Sequence, residues 1–314
     1  MDVSWQGWVL FNGAVLFMLL LDLGVFHRKS ERVSVRAALG WTAFWVILSL
    51  GFNGWVWNHF GHEKGLEFLA GYILEKSLSV DNLFVFLLIF NYFKVPPEVQ
   101  HRVLFFGILG ALVLRGVFIY LGATLVHQFH WILYLFGAFL VFSGIKLLLL
   151  DDDDEQDPEN AVVKAFRARL RLTDRFHGDK FWVRKEGVLY ATPLFLVLIA
   201  VETSDVLFAV DSIPAIFGVT DDTFIVYTSN VMAILGLRAL YFALAGLLEY
   251  FHYLNYGLAL VLIFIGAKML GENYIELSIA TELGVIAALL ASAILASILF
   301  PKKIEPEEEA GADA

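Results

Sequence analysis

Two stretches decide how this chain is read: EKSLSVDNLFVFLLIF at Glu75–Phe90 and VETSDVLFAVDSIPAIF at Val201–Phe217. Each is rich in Leu, Val, Ile and Phe, the composition of a helix that faces lipid. Yet between them they hold five carboxylates: Glu75, Asp81, Glu202, Asp205 and Asp211. At the bilayer centre a carboxylate costs roughly 2.5 to 3.5 kcal/mol on insertion scales. Five unpaired acids would threaten insertion altogether, so basic partners or a polar ion path must accommodate them.

The rest of the chain places those stretches in a membrane. Of its 314 residues 59% are hydrophobic and only 17% charged, and the mean hydropathy is +0.72. A soluble domain of this size needs far more polar surface, so the bilayer serves as solvent for most of the exterior. There is no cysteine, which excludes disulfides, thiol catalysis and thiolate metal ligation. The net charge of -10 owes much to Asp151–Glu155 and Glu305–Glu309, in a loop and a tail, and decides little about partners. The start, Met1-Asp2-Val3-Ser4, has no positive residue before the first apolar run, and basic residues follow that run. The pattern predicts a retained helix with its N-terminus outside rather than a cleaved signal.

A span needs about 20 mostly apolar residues. On that basis helices are predicted near 7 to 26, 36 to 57, 66 to 93, 101 to 126, 130 to 150, 188 to 217, 223 to 247, 254 to 271 and 276 to 300. The expected fold is therefore an all-α polytopic bundle of about nine spans. Alternate loops hold sixteen Lys and Arg in one set and only Lys64 in the other. Cytoplasmic loops retain such residues, so the C-terminus is expected in the cytoplasm and the protein in the plasma (inner) membrane.

The chain also matches itself at a separation of 122 to 124 residues. Ser79-Val80-Asp81-Asn82-Leu83-Phe84 aligns with Thr203-Ser204-Asp205-Val206-Leu207-Phe208, Arg115 with Arg238, and Tyr134 to Gly144 and Lys146 with Tyr256 to Gly266 and Lys268. Three helices per unit means that the second copy enters from the opposite side, the inverted-topology repeat of alternating-access transporters. The organisation expected is two N-terminal helices in 1–65, a first repeat in 66–150, a connector in 151–187, a second repeat in 188–272, and a last helix with an acidic tail in 273–314. In the connector, Val162, Val163, Phe166 and Leu170 recur at helical spacing among Lys164, Arg167, Arg169 and Arg171. That suits either a helix on the anionic inner leaflet or a solvated connector.

On a regular helix Glu202 and Asp205 share a face, whereas Glu75 and Asp81 diverge by about 120°, as do Asp205 and Asp211. Convergence of all five acids requires local unwinding or a shared axial cavity, and Pro193 and Pro214 are candidate breaks. Arg115, Arg238 and Lys76 are candidate counter-charges. Lys146 and Lys268, nearer helix ends, are expected to snorkel. All eight His fall in loops or at span ends. Carboxylates with Asn82, Ser204, Ser212 and backbone carbonyls therefore favour a hard cation, Mn, Mg or Ca, over copper or zinc. No phosphate-binding glycine loop or ATP-coupling domain is present, so transport would draw on a gradient. No nucleic-acid-binding module appears, and without a G-x-G-D pattern an intramembrane protease is weakly supported.

The two opening segments, with TSNVMAILGLRALYF at Thr228–Phe242, resemble the signature segments of the TerC/Alx family of membrane proteins, within the superfamily of LysE-type exporters. The long connector after the fifth helix resembles the Alx branch. The resemblance implies metal-ion homeostasis, chiefly manganese export, with no permanently bound cofactor and no enzymatic reaction, and places the family's acidic motif residues on Glu75, Asp81, Glu202, Asp205 and Asp211. Family members are also described as redox or alkaline-pH modulators, so a non-transporting membrane scaffold or stress modulator is the competing expectation.

Overall fold

The computed structural model describes residues 3–26, 35–149, 159–244, 253–272, 274 and 277–300, and for residues 22–26 and Asp81 the backbone alone. The acidic runs at 151–155 and 305–309 lie outside the described residues. The chain is an all-α helix bundle. Its helices are α1 (Trp5–Phe26), α2 (Val35–Phe60), α3 (His62–Tyr92), α4 (Pro97–Gln128), α5 (Ile132–Leu149), α6 (Ala161–Arg169), α7 (Pro193–Phe217), α8 (Thr223–Ile234), α9 (Leu237–Leu244), α10 (Leu254–Leu270) and α11 (Ile279–Leu299). Helices α2, α4, α5, α7 and α11 are long and apolar enough to cross a membrane, and α8 with α9 makes a sixth as one bent span. Residues Trp5–Leu21 of α1 and helix α10 are apolar but shorter. Helix α3 is 31 residues long and carries Glu75, Lys76 and Asp81 in its middle.

Local chemistry sets the helix ends. Proline at the first helical position opens α4 and α7, where a missing N–H costs nothing and φ is already helical. Asp222 caps α8 by accepting hydrogen bonds from the Phe224 and Ile225 amides at 3.1 and 3.3 Å. Ser278 and Asn160 cap α11 and α6 through the Thr281 and Val163 amides at 3.2 and 3.0 Å.

Several expectations need correction. Neither α3 nor α7 unwinds. Pro193 starts α7, and Pro214 sits in its final turn, where little helix remains to disrupt. The break falls instead between α8 and α9, inside the stretch predicted as one span from 223 to 247, with a bend of 42°. There Gly236 adopts φ +80°, and the Trp45 ring packs so closely that a Cβ would come within 2.5 Å of it. Residues 188–191, predicted as helix, form β2 (Val188–Ala191), which pairs antiparallel with β1 (Trp182–Lys185). Gly187 at φ +81° makes the turn between them. The connector helix forms as α6, with Val163 buried and Val162 and Phe166 exposed.

Helices α5 and α10 run antiparallel with their backbones almost touching. A Cβ on Gly137 would meet the Gly266 carbonyl oxygen at 2.9 Å, one on Gly266 would meet that of Gly137 at 2.6 Å, and one on Gly144 would meet that of Ala259 at 2.7 Å. Small residues permit this approach where dispersion, rather than the hydrophobic effect, must hold helices together.

Candidate functional site

The first signature segment lies within α3, the second makes up α7 from Val201 to its last residue, and α4 lies against α7. Arg115, in α4, is 2% exposed and joins them. Its Nη1 donates to Glu75 Oε1. Its Nη2 and Nε donate to Asp205 Oδ1 and Oδ2 at 3.0 and 3.3 Å. The remaining Glu75 oxygen accepts from Asn230 Nδ2 of α8 at 2.8 Å. All four carboxylate oxygens are thereby bonded, and Glu75 and Asp205 are 1% and 3% exposed. A planar guanidinium is suited to this because its N–H groups diverge toward two acceptors while its charge persists at any physiological pH. One cation faces two acids, so ionisation of both leaves one negative charge in excess.

Glu202 lies in the same seam between α4 and α7. Its carboxylate fills the space that a side chain at Gly110 would take. Its Oε2 is buried with no hydrogen-bond partner among the described residues.

Asp211 points elsewhere. Six residues beyond Asp205 on an unbroken helix, it faces a cavity of about 600 Å³ between α3, α5, α7 and α10. Asn82, Ser143, Lys146, Ser204 and Ser212 line the same cavity, as does Asn160, which caps α6. Ser143 Oγ donates to Asp211 Oδ1 at 2.8 Å. The Ser204 hydroxyl donates to the Ala200 carbonyl at 2.9 Å. Asn82 Oδ1 and Ser212 Oγ are buried with no partner among the described residues. Buried oxygens left unsatisfied are uncommon, and they suit a ligand that brings positive charge or donors.

Four of the five predicted acids therefore divide into a paired set, Glu75 and Asp205, a neighbour, Glu202, and a separate cavity residue, Asp211. The Asp81 side chain lies outside the described residues. Among the described residues no three Asp, Glu or His side chains gather as a metal cage. Arg115 acts as the expected counter-charge, and Arg238 is buried in α9. Lys76 turns instead to the Ala233 carbonyl at 3.0 Å. Lys268 does not snorkel: it is held by the Gly218 carbonyl at 3.0 Å and Glu282 at 2.7 Å. Two participants escaped the sequence reading. Asn230 had a usable signal, a polar residue amid an apolar span; a single hydroxyl such as Ser143 in α5 had none.

Comparison with known proteins agrees with this architecture. The family described as "Integral membrane protein TerC family" matches residues 60–305. "Putative membrane-bound redox modulator Alx" of Salmonella typhi is 51% identical over 90% of this chain and 91% of its own. The Escherichia coli K12 protein of the same name is 50% identical over the same shares. "Uncharacterized membrane protein STKORF319" of Myxococcus xanthus is 49% identical over 94% of this chain and 92% of its own. No solved structure matches.

Proposed function

Because the chain belongs to the TerC family of integral membrane proteins, we propose that this multi-pass protein exports divalent cations, Mn²⁺ foremost, across the plasma membrane. Its N-terminus lies outside, the connector faces the anionic inner leaflet, and a proton or ion gradient drives alternating access. The observation that carries this reading is that Glu75 and Asp205, one from each signature segment, close on one buried guanidinium, that of Arg115. The excess negative charge is costly at low dielectric and attracts a cation or a proton. An arriving divalent ion competes with Arg115 for the carboxylates. After release, the guanidinium returns to them and limits the charge of the empty site while it reorients.

The available donors are all hard oxygens, which suits Mn²⁺, Mg²⁺ or Ca²⁺ as cargo. The preference for manganese rests on the family resemblance. The α5–α10 contacts support the inverted repeat. Gly137 and Ala259 are repeat mates, as are Gly144 and Gly266, and Gly137 meets Gly266 while Gly144 meets Ala259. Partners exchange under the repeat, as a two-fold axis between the helices requires. The chain needs no resident cofactor and catalyses no covalent reaction in this reading.

Cells producing Asp81→Asn or Asp205→Asn protein lose manganese tolerance while the protein still inserts. Unchanged intracellular manganese in both variants counts against export.

A second reading has its own support. The complete hydrogen bonding of Glu75 and Asp205 is what a helix lock in a non-transporting scaffold requires, and the Alx relatives carry the name of a redox modulator. With no cysteine in the chain, such a modulator cannot work by thiol–disulfide exchange. A lock regains function when Arg115 and its acids are removed together, whereas a transport site stays inactive.

A further inference from the structure

Lys146 in the last turn of α5 and Lys268 in the last turn of α10 are 122 residues apart, the offset that relates Gly144 to Gly266. Because α5 and α10 are antiparallel, these mates lie at opposite ends of the bundle. Equivalent in sequence, they differ in surroundings.

Lys268 is engaged. Its ammonium donates to the carbonyl of Gly218, the residue that ends α7, and pairs with Glu282 of α11, with side chains 20% and 4% exposed. A lysine suits this place because the C-terminal carbonyls of a helix carry its negative dipole end. The same end is tied further by Glu67 of α3, which takes the Lys64 ammonium at 2.7 Å and the Thr220 hydroxyl at 2.5 Å. Lys64 also lies 3.8 Å from Asp222. Side chains thus stitch together the ends of α3, α10 and α11 and the α7–α8 turn.

Lys146 is exposed. It stands at the 600 Å³ cavity with Leu88 and Ile89 of α3, Leu147 and Asn160, and feels the charge of Asp211 across it without a direct hydrogen bond or ion pair among the described residues. Gly218 corresponds, at the repeat offset, to residues 94–96 in the turn joining α3 to α4. Each lysine is therefore matched with the C-terminal end of its own repeat's signature helix, but only one match is made.

We infer that Lys268 and Lys146 are alternating latches of the transport cycle, and that this structure has the outer latch shut and the inner one open. In the opposite state Lys268 releases Gly218, and Lys146 donates to a carbonyl of the 93–96 turn as the cavity closes over Asp211. The inference rests on the transport reading and adds to it the residues that hold each state. One charge-assisted hydrogen bond is exchanged for another, so the two states remain close in energy.

The cysteine-free chain allows a direct test in liposomes. A single Leu147→Cys reporter is labelled from the cytoplasmic face with a membrane-impermeant maleimide, and Mn²⁺ flux is measured on the same samples. Adding Lys268→Met slows labelling at least about fivefold, the population shift expected when one state loses a charge-assisted hydrogen bond. Lys268→Arg, which keeps a donor, restores the rate, and Lys146→Met leaves labelling fast while flux falls. A Lys146→Cys, Val95→Cys pair, once oxidised, stops flux, and reduction restores it. If the reporter protein carries Mn²⁺ but labelling ignores Lys268→Met, the latches are refuted and transport stands. If it carries no Mn²⁺, the transport reading fails whatever the labelling.

Discussion

The Arg115 centre and the Asp211 cavity lie on different faces of α7, and they handle intramembrane charge in opposite ways. At the centre every oxygen of Glu75 and Asp205 is bonded and both side chains are buried. In the cavity Asp211, the one acid there among the described residues, is steadied by Ser143 and shares about 600 Å³ with buried oxygens that lack partners and with an exposed lysine. Carboxylates bonded in this way stabilise the fold, although Asn230 Oδ1 beside them has no partner among the described residues, whereas oxygens left unsatisfied at a cavity stay available to a cation. The contrast teaches that the five acids are not equivalent: some hold α3, α4 and α7 together, and at least one faces open space.

The largest effect expected is on the centre. Arg115→Met leaves two buried carboxylates without their cation, a loss of about 3–5 kcal/mol, read as a steep fall in folded protein and in thermal midpoint in detergent. Glu75→Gln with Asp205→Asn in that background recovers folding but not transport; recovery of both would erase the contrast by making the centre purely structural. Next comes Asp211→Asn, which keeps the wild-type midpoint while the KM for Mn²⁺ rises at least about tenfold, a loss of about 1.4 kcal/mol in cation affinity. A fall in midpoint equal to that of Arg115→Met would show both regions doing the same work.

Gly110→Ala tests the seam between them. The new methyl group displaces the Glu202 carboxylate and costs about 1–3 kcal/mol of stability, the usual range for overpacking. Unfolding midpoints check this, and the shift shrinks when Glu202→Ala is added. Ser143→Ala is the gentlest change. It removes one hydrogen bond to Asp211, about 1 kcal/mol, so a several-fold change in KM is expected with a fall in midpoint of no more than about 4 °C.

Much of this was legible in the residues because membranes impose simple rules. Apolar length marked the helices, and seven predicted stretches agree with α1 to α5, α10 and α11 to within a few residues. Arg115 announced itself as a charge amid Leu, Val and Gly. The faces of α7 were also legible: Asp205 and Asp211 were expected to diverge on a regular helix, and they do because α7 never unwinds. What the sequence hid was nonlocal. The kink at Gly236 depends on Trp45, nearly 200 residues away. The hairpin at Trp182–Ala191 was masked by residues apolar enough to extend α7 backwards. Lys268 lost its freedom to reach water because Gly218 and Glu282, far apart in the chain, surround it.

The central claim is that carboxylates from two repeat-related helices carry a divalent cation through the bilayer. Flux into liposomes under a fixed pH gradient tests it most directly, with Mn²⁺, Mg²⁺, Ca²⁺ and Zn²⁺ compared for wild-type and Asp205→Asn protein. The account predicts gradient-dependent Mn²⁺ flux above that of zinc, abolished by the substitution. Equal and negligible flux from both proteins with every metal would contradict it.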